Sequence, residues 1–170
     1  MSNPSSAWGT STRGLSTLIA VMMRYPEVSS VQYDPDTKTL SVGFILRRTL
    51  TDEAWQHLAD YLSDVLTAYR GITGRPLVTL QLSRLELGSV TGIELTRDAL
   101  TVSVEEIGMS IEVFRDLYEG DLLADPHDLL EEDMMVQEET IQESLEAIVR
   151  DGSGHLVALR DEGRVVIFNT

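Results

Sequence analysis

The chain of 170 residues contains no cysteine. That absence excludes disulfides, thiolate nucleophiles, zinc ribbons and cysteine-ligated iron–sulfur clusters, and it makes a reducing compartment the default expectation. Lysine is nearly as scarce: 12 of the 13 basic residues are arginine, and Lys38 stands alone. A phosphate-binding P-loop needs a lysine directly after glycine, whereas Lys38 follows Thr37 among turn residues, so Walker-type nucleotide hydrolysis is excluded. Schiff-base chemistry would need this lysine desolvated, which an exposed turn does not provide. Long apolar runs are also missing. The stretch 15–23 is interrupted by Ser16 and Thr17 and has no basic region ahead of it, unlike a signal peptide. Nothing approaches the roughly 20 apolar residues that span a bilayer. These features lead to the expectation of a soluble, cytoplasmic protein with no membrane partner.

What is abundant is negative charge, and it is concentrated. The net charge is −15, yet residues 105–146 hold 15 of the 28 acidic residues and a single base, Arg115. The rest of the chain is close to neutral. Such a segment repels free nucleic acid, whose binding relies on arginine and lysine displacing counterions from phosphate. The arginines elsewhere (Arg47, Arg48, Arg70, Arg75, Arg84) lack the interleaved aromatics of single-strand binders, so no direct nucleic-acid contact is expected.

Periodicity supplies the elements. Leu15, Leu18, Ile19 and Met22 recur at helical spacing up to Pro26, which pushes its predecessor out of the α region. Val31 and Tyr33, a turn at 34–37, then Leu40, Val42, Phe44 and Leu46 predict a hairpin. Thr51 is a good N-cap, followed by acidic Asp52 and Glu53 and a stripe of Trp55, Leu58, Ala59, Leu62, Val65, Leu66 and Tyr69. Gly71, Gly74 and Pro76 end that helix. A strand through Val78, Leu80 and Leu82, running as far as Leu87, comes next. A second hairpin is expected from Ile93 and Leu95 through a turn at 96–98 to Leu100, Val102 and Val104. Ser110 is expected to cap a short helix with Ile111, Phe114 and Tyr118 inward. Asp125 and Pro126 then open a long acidic helix striped by Leu130, Met134, Ile141, Leu145 and Ile148. Residues 156–159 and 165–168, around a turn at 161–163, form a last hairpin. The three hairpins raise the question of an internal repeat.

The order helix, hairpin, helix, strand matches a ferredoxin-like plait lacking its first strand, a vacancy that a later strand of this chain or of another subunit could fill. The fold class expected is therefore α+β: a mainly antiparallel sheet with helices on one face, then an acidic helical segment and a C-terminal hairpin. Residues 1–14 read as a flexible tail and 15–170 as one domain, with a compositional sub-boundary near 105–110.

Chemistry is thinly signposted. Glu132, Glu139, Glu143 and Glu146 fall on one helical face with no base to answer them. A solvated face, a contact surface for a basic partner protein, and capture of Ca²⁺ or Mg²⁺ all use such a stripe. His127 and Glu131, four apart beside Asp128, have the spacing of a metal-ligand pair, although neither HExxH nor ExxH occurs. The Gly152–Ser153–Gly154 sequence lacks the spacing of a nucleophile elbow, and Gly71 and Gly74 do not extend to a dinucleotide fingerprint. No cofactor is expected beyond such a cation. The expectation is a non-catalytic protein working by contact through its acidic helical surface, as a homodimer or against a basic protein. The alternative is a cation-dependent protein or enzyme using residues 125–132.

Overall fold

Alternation of period two builds the first hairpin: β1 (Ser30–Asp34) and β2 (Thr39–Leu46) pair with Val31 opposite Val42 and Tyr33 opposite Leu40. The computed structural model describes residues 17–74, 77–125, 141–143, 154–161 and 164–169, with the side chain of residue 169 left out. Asp34 closes the first turn by accepting from the Asp36 amide at 2.9 Å, and Lys38 takes a positive φ of 54° there, fully outside the core. Before this hairpin lies α1, helical over residues 17–24, which buries Leu18, Val21 and Met22 and leaves Met23 exposed.

The second helix, α2 (Asp52–Thr73), starts where its cap predicts, with the Thr51 hydroxyl accepting from the Ala54 amide at 3.1 Å. It runs through Gly71 and stops at Gly74, whose φ of 70° is left-handed and suits a residue without a Cβ. Leu58, Leu62 and Leu66 form its buried stripe.

The next hairpin corrects the sequence expectation. It is made of β3 (Leu80–Leu87) and β4 (Val90–Asp98) around Gly88, which has a φ of 68°, and not of Ile93 to Val104. Val78 precedes the strand and is exposed. Leu100 lies in a turn, Val102 is buried on the approach to a helix, and the buried Val104 is that helix's first residue. That helix, α3 (Val104–Tyr118), begins six residues before the expected Ser110 cap, which instead sits mid-helix donating to the Glu106 carbonyl at 2.8 Å. The true cap is Ser103, whose amide is accepted by the Glu106 carboxylate at 2.7 Å, the S-x-x-E arrangement of a capping box. With the second hairpin displaced, the even spacing that suggested a repeat is lost. The last hairpin, β5 (Leu156–Asp161) with β6 (Arg164–Asn169), forms as expected.

All six strands join one antiparallel sheet in the order β3-β4-β2-β1-β5-β6. β2 and β3, joined by α2, are both antiparallel to β4, which lies between them. Thus β4 occupies the place left vacant in the plait-like order, and it comes from this chain. Inward positions (Val31, Tyr33, Leu40, Val42, Phe44, Ile93, Leu95, Leu156, Ala158) join the buried residues of α1, α2 and α3 in one core, with Phe44 edge-on to Phe114 at 4.9 Å. Arg160 fastens the C-terminal hairpin to the end of α1. Its guanidinium donates to the Met22, Tyr25 and Val28 carbonyls at 2.5, 3.4 and 3.0 Å, and it pairs with Asp125 at 2.8 Å.

Candidate interaction surface

In an antiparallel sheet with its core on one side, outward positions are ordinarily polar. Here the outer face is a trough of about 730 Å³ lined by the strands and the residues beside them. Its floor is β4, β2 and β1, where outward positions hold the small residues Gly92, Gly43 and Ser30 beside the larger Ile45, Gln32 and Glu94. Leu85 and Leu87 of β3 form one wall, 61% and 47% exposed. Leu159 of β5 with Val166 and Phe168 of β6 form the other, Phe168 being 48% exposed.

The two floor glycines are each overlaid by a neighbouring side chain. A Cβ on Gly43 would stand 2.2 Å from the Ser30 hydroxyl, so the hydroxyl lies where a side chain would otherwise project. At Gly92 the wall leans over the floor, with Leu85 Cβ 3.5 Å and Leu87 Cδ1 3.6 Å from the place a Cβ would take. Glu94 sits among them, facing Gly43 on β2 and Ser83 on β3. It is half-buried, and among the described residues no hydrogen bond or ion pair engages its carboxylate. The trough thus has apolar walls and two carboxylates, half-buried Glu94 in the floor and exposed Asp161 beside the wall, that no described residue answers.

A second polar cluster is buried inside the fold. Arg97, 1% exposed, holds Glu106 with Nε to Oε1 at 2.7 Å and Nη2 to Oε2 at 3.3 Å, and also pairs with Asp98. Arg70, 3% exposed, approaches the same Glu106 at 3.6 Å and donates to the Thr101 carbonyl, while its Nε is buried without a hydrogen-bond partner. Asp98 also accepts from the Thr79 amide at 3.0 Å and from the Thr101 hydroxyl. Burial opposes its ionisation, but the Thr101 and Thr79 hydrogen bonds and the Arg97 charge outweigh it and hold the carboxyl below its ordinary value. With two guanidiniums answering two carboxylates, this cluster joins β4, α2 and α3.

Of the residues singled out by sequence, Glu132, Glu139, Glu146, His127, Asp128 and Glu131 lie outside the described residues. Glu143 is exposed on a helical stretch, beside Ile141, which is fully buried, and Gln142, which accepts from the Val104 amide at 2.9 Å. Part of the acidic segment is answered by arginines of the near-neutral remainder: Glu106 by Arg97, Asp121 by Arg48 and Asp125 by Arg160. Among the described residues no group of three or more His, Asp or Glu side chains could hold a metal ion, and no helix is long and apolar enough to cross a membrane. Sequence reasoning missed the trough. Its signal was present as Leu85 and Leu87, outward by the parity of Leu80 and Leu82, and as Gly43 within a predicted strand.

Fold and surface together define an α+β protein with helices on one face of a six-stranded antiparallel sheet and an apolar trough on the other. No family model matches the chain, and neither a curated protein nor a solved structure matches it.

Proposed function

We propose that this protein acts by binding, without catalysis, and that its trough receives a basic, apolar segment of a partner protein. The observation that carries the reading is the row of large apolar side chains on outward sheet positions, where water-facing residues belong. Charge selects the partner. A chain of net charge −15, with Glu94 unpaired in the trough floor, attracts a cationic segment and repels a second copy of itself at that face. The acidic segment, with Glu132, Glu139, Glu143 and Glu146, acts in this scheme as the long-range attractor, steering the partner before the trough engages it.

Site-specific photo-crosslinking in the host cell tests the proposal, with the reactive group placed at Leu85 or Phe168 and, as a control, at Gln56 on the exposed side of α2. The expected result is one and the same basic polypeptide, identified by mass spectrometry, captured from both trough positions and not from Gln56. Equal capture from all three positions, or none from the trough, contradicts the proposal.

A homodimer has a separate place to form. β6 is an edge strand with the apolar run Val165–Val166–Ile167–Phe168, and among the described residues only β5 pairs with it. Such an edge is a template for a second strand. Light scattering on the eluting protein reads the assembly: a dimer that a lysine at Val166 converts to monomer supports edge pairing, and a monomeric wild-type protein removes it.

A further inference from the structure

Resting on the binding reading above, we infer that the occupant of the trough is an amphipathic α-helix whose apolar face carries one lysine or arginine, placed to pair with Glu94. The backbone of the floor sets the first constraint. β4, β2 and β1 are each hydrogen-bonded to neighbours on both sides, so a segment laid across them finds no free amide or carbonyl to pair with. An extended segment would leave its own backbone groups unsatisfied there, whereas a helix satisfies them internally. An extended ligand would instead add to the edges, β3 or β6.

Width sets the second constraint. From β3 to β5 there are four strand spacings, roughly 19 Å, and a helix with its side chains is about 10–12 Å across. One helix fits between the walls, with Leu85, Leu87, Leu159 and Phe168 closing on its flanks. The third constraint is Glu94. Covering a half-buried carboxylate with apolar surface is costly unless the cover supplies a cation or donors. A second copy would bring another Glu94 to the contact, and a small apolar ligand needs most of its surface enclosed, which an open trough does not provide.

The probe is an 18-residue synthetic helix with a leucine stripe, glutamine and alanine elsewhere, and a single lysine midway along the stripe; two companions carry glutamate or leucine at that position. Fluorescence anisotropy measures each against the full chain and against the variants Glu94→Lys, Glu94→Gln and Leu85→Asp, with circular-dichroism melts establishing that each variant is folded. The wild-type protein is expected to prefer the lysine peptide over the glutamate peptide by at least about tenfold, and Glu94→Lys to invert that preference. Leu85→Asp should weaken the wild-type protein's affinity for the lysine peptide about tenfold. A leucine-stripe peptide that binds and is sensitive to Leu85→Asp, yet shows no charge preference, overturns the cation and leaves the trough reading standing. If no helix binds while crosslinking from Leu85 and Phe168 captures a partner, the helical occupant is overturned. Binding indifferent to Leu85→Asp overturns the trough reading itself.

Discussion

Glu106 shows how one side chain can tie local and tertiary structure together. Its carboxylate accepts from the Ser103 amide at the start of α3 and is gripped by Arg97 from β4, with Arg70 of α2 at 3.6 Å. Replacing Arg97 with methionine leaves this buried carboxylate with its main partner gone. Loss of one member of a buried ion pair costs about 3–5 kcal/mol. A urea titration of Arg97→Met should show a loss of that order, and a change under about 1 kcal/mol would mean the pair is not what secures α3 to the sheet. Asp98 adds a pH dependence. Its folded pKa lies below its ordinary value, so its contribution is fully present above the ordinary carboxylate range and disappears as pH falls through the lower folded value. Stability measured from neutral pH downward should therefore fall less steeply in Asp98→Asn than in the wild-type protein; identical acid limbs would contradict the assignment.

At the scale of elements, the capped amphipathic helix is the feature most directly written in the residues. α2 has its hydroxyl cap, acidic first turn, leucine stripe and terminal glycine in order, and Thr51→Ala should lower stability by about 1 kcal/mol in the same titration. The first and last hairpins were equally legible, because their alternation is bounded by turn residues. The second hairpin was not. Alternating Leu100, Val102 and Val104 imitate a strand, while Ser103 with Glu106 carries the competing helix-start signal, and the capping box prevailed. Arg70 and Arg97 were illegible as core residues, since a charge is buried only where distant partners converge, and pairings such as Arg97 with Glu106 emerge from the fold. The trough was hidden for a related reason. Gly43 and Gly92 come to share one floor, facing Glu94 and Ile45 respectively, only once β2 and β4 pair, a topology that the displaced second hairpin obscured.

For the whole molecule, the contrast between a balanced body and an acidic segment is real in composition but partly dissolved in space. Arg48, Arg97 and Arg160 reach into that segment, leaving Glu105, Glu112, Asp116, Glu119 and Glu143 as its exposed acids among the described residues. If the surviving field steers a basic partner, the association rate should fall steeply from low to physiological salt while the dissociation rate changes little. A binding protein with no cation requirement should also melt at the same temperature with and without Ca²⁺ or Mg²⁺. An ion bound only to the folded state at a hundred times its Kd would add about 2.7 kcal/mol and be plainly visible.

The central claim is that partners dock in the trough, and one position tests it with least disturbance to the fold. At Gly92 an added Cβ meets nothing closer than 3.5 Å, and the backbone there is not in the left-handed region, so a side chain can begin there without backbone strain. The decisive measurement is the affinity of the crosslinked partner for Gly92→Leu beside the wild-type protein, with thermal melts of both. The account predicts at least a tenfold weaker Kd at an unchanged melting temperature, because the leucine fills the floor the partner must approach. An unaltered Kd in a fully folded Gly92→Leu protein would contradict it.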